Sequence, residues 1–473
     1  MKKPASFKSC IFIMADGARA DVFEELLNRG YMSNISEYII KDGTYGKAIS
    51  VFPSTTGPAY APFLLGKFPG RCNLPGIRWF DRRVYARKLF SLYRSRSYVG
   101  LEGFLMNYDI PKEIKTIFEI VPRSVSILNE LSRGISFGGD KTRFLRIYYK
   151  IKSHFTDRCD EVDLAARDIL INSLKQRPQF AYVVFLGIDT YSHLYHPFHN
   201  KVLESYLRID ETVGLIVKAL KTQGGLDETL IVITSDHGLT QTHSHFDMLG
   251  FLDNLGFKTF YYPNIFKHYA DANAANMVSG NAMSHIYIKG QDGWERKRAF
   301  EELSELVDAL LERPEVDIVA GVDEMGRARI KSEKGEAITW IDDEGYIRYE
   351  TVSGDPFGYT TLPSKMSTDE ILRYSFYSNY PDAPLQIIQL LESPRSGDLV
   401  VSAKHGFDLR ARHEKPEHRS SHGALFKEHI VVPLCINTRL SREFIRTVDL
   451  YPTILTLLGF DFPHGIDGVN LAD

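Results

Sequence analysis

Three aspartates and three histidines recur along this chain in short signatures: Asp16-Gly17, Asp189 with His193 four residues on, Asp236-His237-Gly238 and His422-Gly423. Carboxylate oxygens and imidazole nitrogens in such company suit a divalent cation. Singly, each has an ordinary reading. Asp-Gly is a turn, Asp189 to His193 a polar loop, and His422 one of a run, with His405, His413, His418 and His429, that reads mostly as surface histidines. Together they carry more, because unrelated turns have no reason to supply three Asp and three His at the ends of apolar runs. Phe52-Pro53-Ser54-Thr55-Thr56-Gly57-Pro58 adds hydroxyls and a helix start, Pro58 leading into Ala59 to Leu65, where free N–H groups would meet an anion. His196, His199, His243 and His245 are read as lining an entrance rather than as ligands.

The elements that must position these groups follow from hydrophobic patterning. Cys10 to Ala15, Phe180 to Ile188, Thr229 to Thr234 and Ile430 to Ile436 are continuous apolar runs, the pattern of parallel strands buried on both faces. Helical periodicity fills Asp21 to Leu27, Asp160 to Leu174 and Lys201 to Lys221, the last stopped by Gly224-Gly225. The alternation predicts an α/β fold, a doubly wound, mostly parallel sheet flanked by helices, whose ligands bind beyond the carboxyl ends of the strands. Asp16, Asp189 and Asp236 fall there. The expected core comprises residues 1–80, 178–248 and 398–473. It is interrupted by a mostly helical insertion at 81–177 and a small α/β cap at 249–397. Within the cap we expect a helix over Glu295 to Leu311, an extended Val316 to Val322, and a hairpin turning at Asp343-Glu344-Gly345 between Ala337 to Trp340 and Tyr346 to Tyr349.

Composition sets the frame: 473 residues, 44% hydrophobic and 25% charged, make an ordinary globular chain with ample core. A formal charge of −3 gives no global pull toward nucleic acid, and no specific nucleic-acid binding is expected. Cys10, Cys72, Cys159 and Cys435 lack metal spacing and suggest reduced thiols and a cytoplasmic protein. The stretch Cys10 to Ala15 is too short for a signal peptide and runs into Asp16, and Phe180 to Ile188 is about half of the ~20 residues a membrane helix needs, so no transmembrane segment is expected. The sequence leaves the oligomeric state open.

On these motifs the chain resembles the alkaline phosphatase superfamily, and most closely its type I phosphodiesterase/nucleotide pyrophosphatase branch. That branch's Asp-Gly is matched by Asp16-Gly17, its Phe-Pro-Ser/Thr-x-Thr by Phe52 to Thr56, its Asp-x-x-Gly-His by Asp189 to His193, its Asp-His-Gly by Asp236 to Gly238 and its late His-Gly by His422-Gly423. The resemblance implies Thr56 as nucleophile and two divalent metal ions, zinc expected and manganese the alternative. Asp16, Asp236, His237 and Thr56 would hold one ion, and Asp189, His193 and His422 the other. It also implies substrate contacts from Arg78 and Trp79. Ser192 stands where relatives often have Gly, and Ala59 where many carry an Asn that contacts a substrate oxygen. The sulfatase pattern is missing after Ser54, a serine-nucleophile mutase does not match Thr56, and membrane-bound headgroup transferases would need spans not seen here.

The chemistry implied is hydrolysis of phosphodiester or related phosphate-ester bonds, on a small-molecule or lipid-headgroup substrate, through two in-line displacements. Three carboxylates, two divalent ions and one alkoxide sum to neutrality, which favours a diester monoanion over a monoester dianion unless Arg78 adds a cation. The alternatives are a phosphonate hydrolase or phosphomonoesterase of the same superfamily, and a catalytically idle metal-binding docking module. Between Arg78 and Tyr98, seven Arg/Lys and one acid, Asp81, interleave with Trp79, Phe80, Tyr85, Phe90, Tyr93 and Tyr98. This strip reads as a solvated amphipathic insertion, or as an anion-binding rim that stacks a nucleobase or meets an anionic lipid surface.

Overall fold

The computed structural model describes residues 7–87, 94–261, 271–360, 362–410 and 417–472. Seven strands form one sheet in the order Ile445–Arg446, Thr44–Ile49, Val431–Ile436, Thr229–Thr234, Ser9–Ala15, Phe180–Phe185, Ser124–Ile127. The three apolar runs at its centre pair in parallel, Cys10 lying opposite both Phe180 and Leu230. Their side chains are buried on both faces by helices, among them Ala20–Asn28, Cys159–Leu174 and Asn200–Gln223, close to the periodicities read above. The last of these ends at Gly224 in the left-handed region. All four cysteines are free and buried.

The strand at Val431–Ile436 differs from expectation, running antiparallel to both its neighbours, Thr229–Thr234 and Thr44–Ile49. A strand covered on both faces has the same apolar composition whichever way it points, so direction was not readable. The reversal matters for the site. It brings the start of this strand, and His422 upstream of it, to the edge where the parallel strands end; the Gly238 N–H donates to the His429 carbonyl at 2.8 Å.

Two expected boundaries also move. Ser124–Ile127 is the outermost strand of the central sheet, parallel to Phe180–Phe185, and Cys159–Leu174 packs on that strand. Half of the stretch expected as a helical insertion at 81–177 is therefore core, a fact hidden by the polar Ser-Val-Ser-Ile sequence. Leu399–Ala403, expected to rejoin the core, sits instead between Met283–Ile288 and Val316–Val322 in a second sheet of nine strands, antiparallel except for its first pair. That sheet contains the hairpin, with Gly335–Ile341 against Ile347–Gly354 and Gly345 at φ 84°. The helix expected from Glu295 begins only at Ser304, after a short turn at Glu301–Leu303. The preceding residues are kept out of the helix by polar ties, Arg298 N–H to Asp398 at 2.7 Å and Ala299 N–H to Glu302 at 2.9 Å.

The two sheets share the Phe52 segment. Val51, Phe52, Ala59 and Phe68 belong to the apolar cluster of the second sheet. Buried Gln386 accepts the Phe52 N–H at 3.0 Å and Gln389 donates to the Phe52 carbonyl at 2.6 Å. Two amides on the helix Ala383–Leu391 thus fix the backbone that leads to Thr56. Among the described residues, no helix is long and apolar enough to cross a membrane.

Candidate active site

Asp16 follows the Ser9–Ala15 strand, Asp236 and His237 follow Thr229–Thr234, and Asp189 and His193 lie one turn apart on the helix Gly187–Leu194 after Phe180–Phe185. Three neighbouring parallel strands thus deliver five of the six predicted ligands to one edge. The turn after Asp16 is narrow. Gly17 has φ +75°, and a Cβ there would stand 2.8 Å from the Cβ of Asp189, so the close approach of the two aspartates depends on glycine. Gly423, at φ +104°, lets the chain turn beside His422 against the Ser279 carbonyl.

All six converge. Asp189, His193 and His422 place ligand atoms within 4.8 Å of one another, and so do Asp16, Asp189 and His237. His193 Nε2 is 3.2 Å and His422 Nε2 3.8 Å from Asp189 Oδ1, while His237 Nε2 is 3.5 Å from Asp16 Oδ1 and 3.4 Å from Asp236 Oδ2. The His237 and His422 rings stack with centroids 3.8 Å apart.

Each histidine is oriented by a backbone carbonyl at its other nitrogen: His193 Nδ1 with Ser420 O at 2.7 Å, His422 Nδ1 with Ser54 O at 2.9 Å, and His237 Nδ1 with Gly238 O at 3.0 Å. A carbonyl only accepts, so each Nδ1 carries a proton and each Nε2, which bears a lone pair in the neutral ring, faces the cluster. Lone pairs and carboxylate oxygens therefore point at one another, and Asp236 Oδ2 and Asp189 Oδ1 are buried without a hydrogen-bonded partner. A donor set of this kind, carboxylate oxygen and imidazole nitrogen turned to one point, fits divalent cations.

The electrostatics agree. Burial, then repulsion from Asp236 and Asp189, holds the Asp16 carboxyl well above the carboxylate range, and burial lifts Asp236 as well. Burial pushes Asp189 up too, but the imidazoles of His193, His422 and His237 outweigh it and hold Asp189 low. Burial and the neighbouring His237 drive His422 well below the usual imidazole range. The cluster attracts positive charge.

Of the three hydroxyls, only that of Thr56 enters the cluster, 3.0 Å from His237 Nε2 and 3.3 Å from Asp16 Oδ1, and it is partly open to solvent. Ser54 is buried and occupied, donating to Ala424 O at 3.0 Å and accepting from Gly423 N at 3.1 Å. Thr55 is fully buried. Asp16 is further held by the Tyr60 hydroxyl at 3.2 Å, a residue the sequence reading missed because an aromatic on a short helix reads as core. Ala59 is core, and Ser192 turns its hydroxyl to the Ile188 carbonyl at 2.6 Å.

Trp79 does not line the site. It is fully buried, donates to the Tyr98 hydroxyl at 3.0 Å and lies under the Arg395 guanidinium, 4.1 Å from its centroid. The expectation of a substrate contact fails because a Trp in a basic strip looks the same whether it faces solvent or core. Arg78 is half-buried at the start of the strand Arg78–Phe80, and the adjoining Ile77 N–H donates to Ser279 Oγ at 2.9 Å, next to the loop that pairs with His422. Much of the described strip also turns inward: Arg82 pairs with Asp398, Arg96 with Asp109 at 2.8 Å, and Phe80 and Tyr98 are buried, while Arg83 and Arg87 stay exposed. The described strip is thus partly solvated and partly buried, and Phe90 and Tyr93 lie outside the described residues.

His418, read among surface histidines, and Asn281, which was not singled out, both adjoin the cluster. The His418 ring lies 4.3 Å from that of His193, Asn281 Nδ2 is 2.9 Å from His418 Nδ1, and Asn281 bridges to His422. His429 is a core residue rather than a surface one, between Thr240 Oγ1 at 2.9 Å and Ala424 N at 3.1 Å. His405 is exposed and His413 lies outside the described residues. His245 is tied to Asp408 at 2.9 Å.

Comparison with known proteins supports this arrangement at the level of family and fold. The chain is 31% identical over 249 residues to GPI ethanolamine phosphate transferase 1 of Gibberella zeae, covering 50% of this chain and 24% of that protein. It is 24% identical over 252 residues to the Yarrowia lipolytica protein of the same name, covering 51% and 25%. It spans about a quarter of the length of these curated relatives. Among solved structures, murine ectonucleotide pyrophosphatase/phosphodiesterase 5 aligns over 97% of both chains with a TM-score of 0.55 and 13% identity. Phosphonoacetate hydrolase from Sinorhizobium meliloti 1021 does so over 97% of both with a TM-score of 0.56 and 15% identity. The type I phosphodiesterase / nucleotide pyrophosphatase family model matches residues 10–425, and this chain, an α/β protein of alkaline phosphatase-like fold, belongs to that family.

Proposed function

We propose that this chain is a metal-dependent enzyme that cleaves phosphodiesters through Thr56. The observation that carries the reading is the convergence of six oxygen and nitrogen ligands, their lone pairs facing inward, on one threonine hydroxyl. Asp16, Asp236 and His237 would hold one divalent cation and Asp189, His193 and His422 a second, zinc being the expected metal and manganese the alternative. When bound, such ions supply Lewis-acid stabilisation of oxyanions and lower the pKa of a coordinated hydroxyl.

The chain's own groups do the rest. Gln386 and Gln389 hold the Phe52 backbone, Ser54 anchors the loop to Ala424, and Thr56 is thereby presented at the mouth between Asp16 and His237. Attack of Thr56 Oγ1 on phosphorus breaks the bond to the leaving alcohol, and a second in-line attack on the phosphorylated threonine frees the enzyme. If water is the second nucleophile the enzyme is a hydrolase. If an alcohol is, it is a transferase, a second reading favoured by the names of the curated relatives.

Thr56→Ala, loaded with zinc and assayed on bis(p-nitrophenyl) phosphate and p-nitrophenyl phosphate, tests the scheme. We expect diester turnover by wild type, a loss of at least about a thousandfold in the variant, and unchanged metal content. Unchanged turnover would remove Thr56 from the reaction. Adding an acceptor alcohol such as glycerol separates the two readings by the appearance of a transfer product.

A further inference from the structure

Phe144, Ile147, Tyr148 and Ile151 stand at i, i+3, i+4 and i+7 around the start of the helix Arg146–Phe155, the spacing of a stripe that normally faces a core. Here it faces solvent. Phe144 is 77% exposed, Ile147 50%, Tyr148 56% and Ile151 55%, while the opposite side of the helix presents the buried Ser153. Phe137, 69% exposed, meets Phe144 edge-on with centroids 5.8 Å apart and extends the patch. Monomeric surfaces rarely leave clustered large apolar side chains uncovered without a partner.

The surrounding charge identifies the partner. Residues 141–156 contain five Lys or Arg and no Asp or Glu, in a chain of net charge −3. Arg143 lies 5.2 Å from the Phe137 centroid and Lys152 5.8 Å from that of Tyr148, so cations border the rings directly. Arg146 and Arg143 both pair with Asp140, at 2.9 and 3.4 Å, and Lys152 pairs with Glu161, so two acids offset part of the five positive charges and the face stays positive but not uniformly so. A second copy docking through the same face would set these cations against their own images, an isologous contact that opposes itself. A bilayer interface with anionic headgroups accepts both features, the aromatic and aliphatic side chains entering the acyl boundary and the cations meeting phosphate or carboxylate.

We propose that this face docks the protein onto anionic lipid membranes. The helix packs against Gly187–Leu194, which carries Asp189 and His193, so docking would bring the candidate active site alongside the bilayer. The proposal concerns binding and stands apart from the identity of the substrate.

Sedimentation of the full chain with phosphatidylcholine vesicles, with and without about one-third phosphatidylserine, tests it. We expect binding to the anionic vesicles, weakened by salt, at least about tenfold stronger than to phosphatidylcholine alone. The triple variant Phe144→Ser, Ile147→Ser, Ile151→Ser should lose at least about tenfold in vesicle binding. It should keep the wild-type melting temperature and any turnover of soluble diesters. In Lys141→Gln, Arg143→Gln, Lys152→Gln the preference for anionic vesicles should fall. The proposal is overturned by wild type that stays in the supernatant with anionic vesicles, by a folded serine variant that binds as wild type does, or by a patch-dependent dimer with no vesicle binding.

Discussion

Replacing Gly17 by alanine separates two effects that coincide at the site. The backbone there sits at φ +75°, where a Cβ costs about 1–2 kcal/mol. The new Cβ would also lie 2.8 Å from Asp189 Cβ and 2.9 Å from Asp189 Cα. Since ordinary contact begins near 3.4 Å, Asp189 must retreat by roughly half an ångström or more, with overpacking worth about 1–3 kcal/mol. Gly30 supplies the control, having the same φ of +75° and nothing within 4 Å of the point where a Cβ would stand. Urea unfolding of metal-free protein should therefore show Gly30→Ala losing about 1–2 kcal/mol and Gly17→Ala about 2–5 kcal/mol. Asp189 belongs to both candidate ligand groups, and metal sites tolerate distance errors of only about 0.2 Å, so zinc affinity by chelator competition should fall by roughly 10–100-fold in Gly17→Ala and stay unchanged in Gly30→Ala. Equal stability losses with equal zinc affinity in the two variants would refute the claim that Gly17 exists to seat Asp189.

Two further outcomes follow from buried polar groups. His285 is fully buried, its Nε2–H donating to Pro75 O at 2.9 Å and its Nδ1 accepting from Gly397 N at 3.1 Å; burial is the main cause that pushes its pKa from 6.5 to about 4. The unfolded chain then binds more protons than the folded one between those values, so this residue's contribution, on the order of 3 kcal/mol, is complete above about pH 6.5 and is lost as pH falls toward 4. Chemical denaturation across that window should show a shallower slope in His285→Gln, and an unchanged slope would contradict this. Trp79→Phe removes the bond to Tyr98 and some packing, so it should lower stability by about 1–3 kcal/mol and leave KM for a diester unchanged; a raised KM with unchanged melting would return Trp79 to the substrate pocket.

The residues that converge at the candidate site were legible because ligand chemistry is local: an Asp at a strand end and a His one helical turn later read the same in sequence and in space. What relates distant segments was less so. The reversed strand Val431–Ile436, which brings His422 to the right edge, has the composition of a parallel one. Ser124–Ile127 was missed because half of it is serine, and Leu399–Ala403 was assigned to the wrong sheet because an apolar run does not name its neighbours. The basic aromatic strip and the Phe144 to Ile151 stripe show the same gap in opposite directions. Trp79, Arg82 and Arg96, in a strip read as surface, are buried, while a stripe with core spacing is exposed. Asn281 and His418 reach the site through loops, where no periodicity marks them.

The most direct test of the central claim is anomalous diffraction at the zinc edge from crystals of the metal-loaded protein. Two peaks are expected, one among Asp189, His193 and His422 and one among Asp16, Asp236 and His237, with Thr56 Oγ1 at the second. Peaks elsewhere on the molecule, or a loaded cluster from which the Thr56 hydroxyl is turned away, would contradict it.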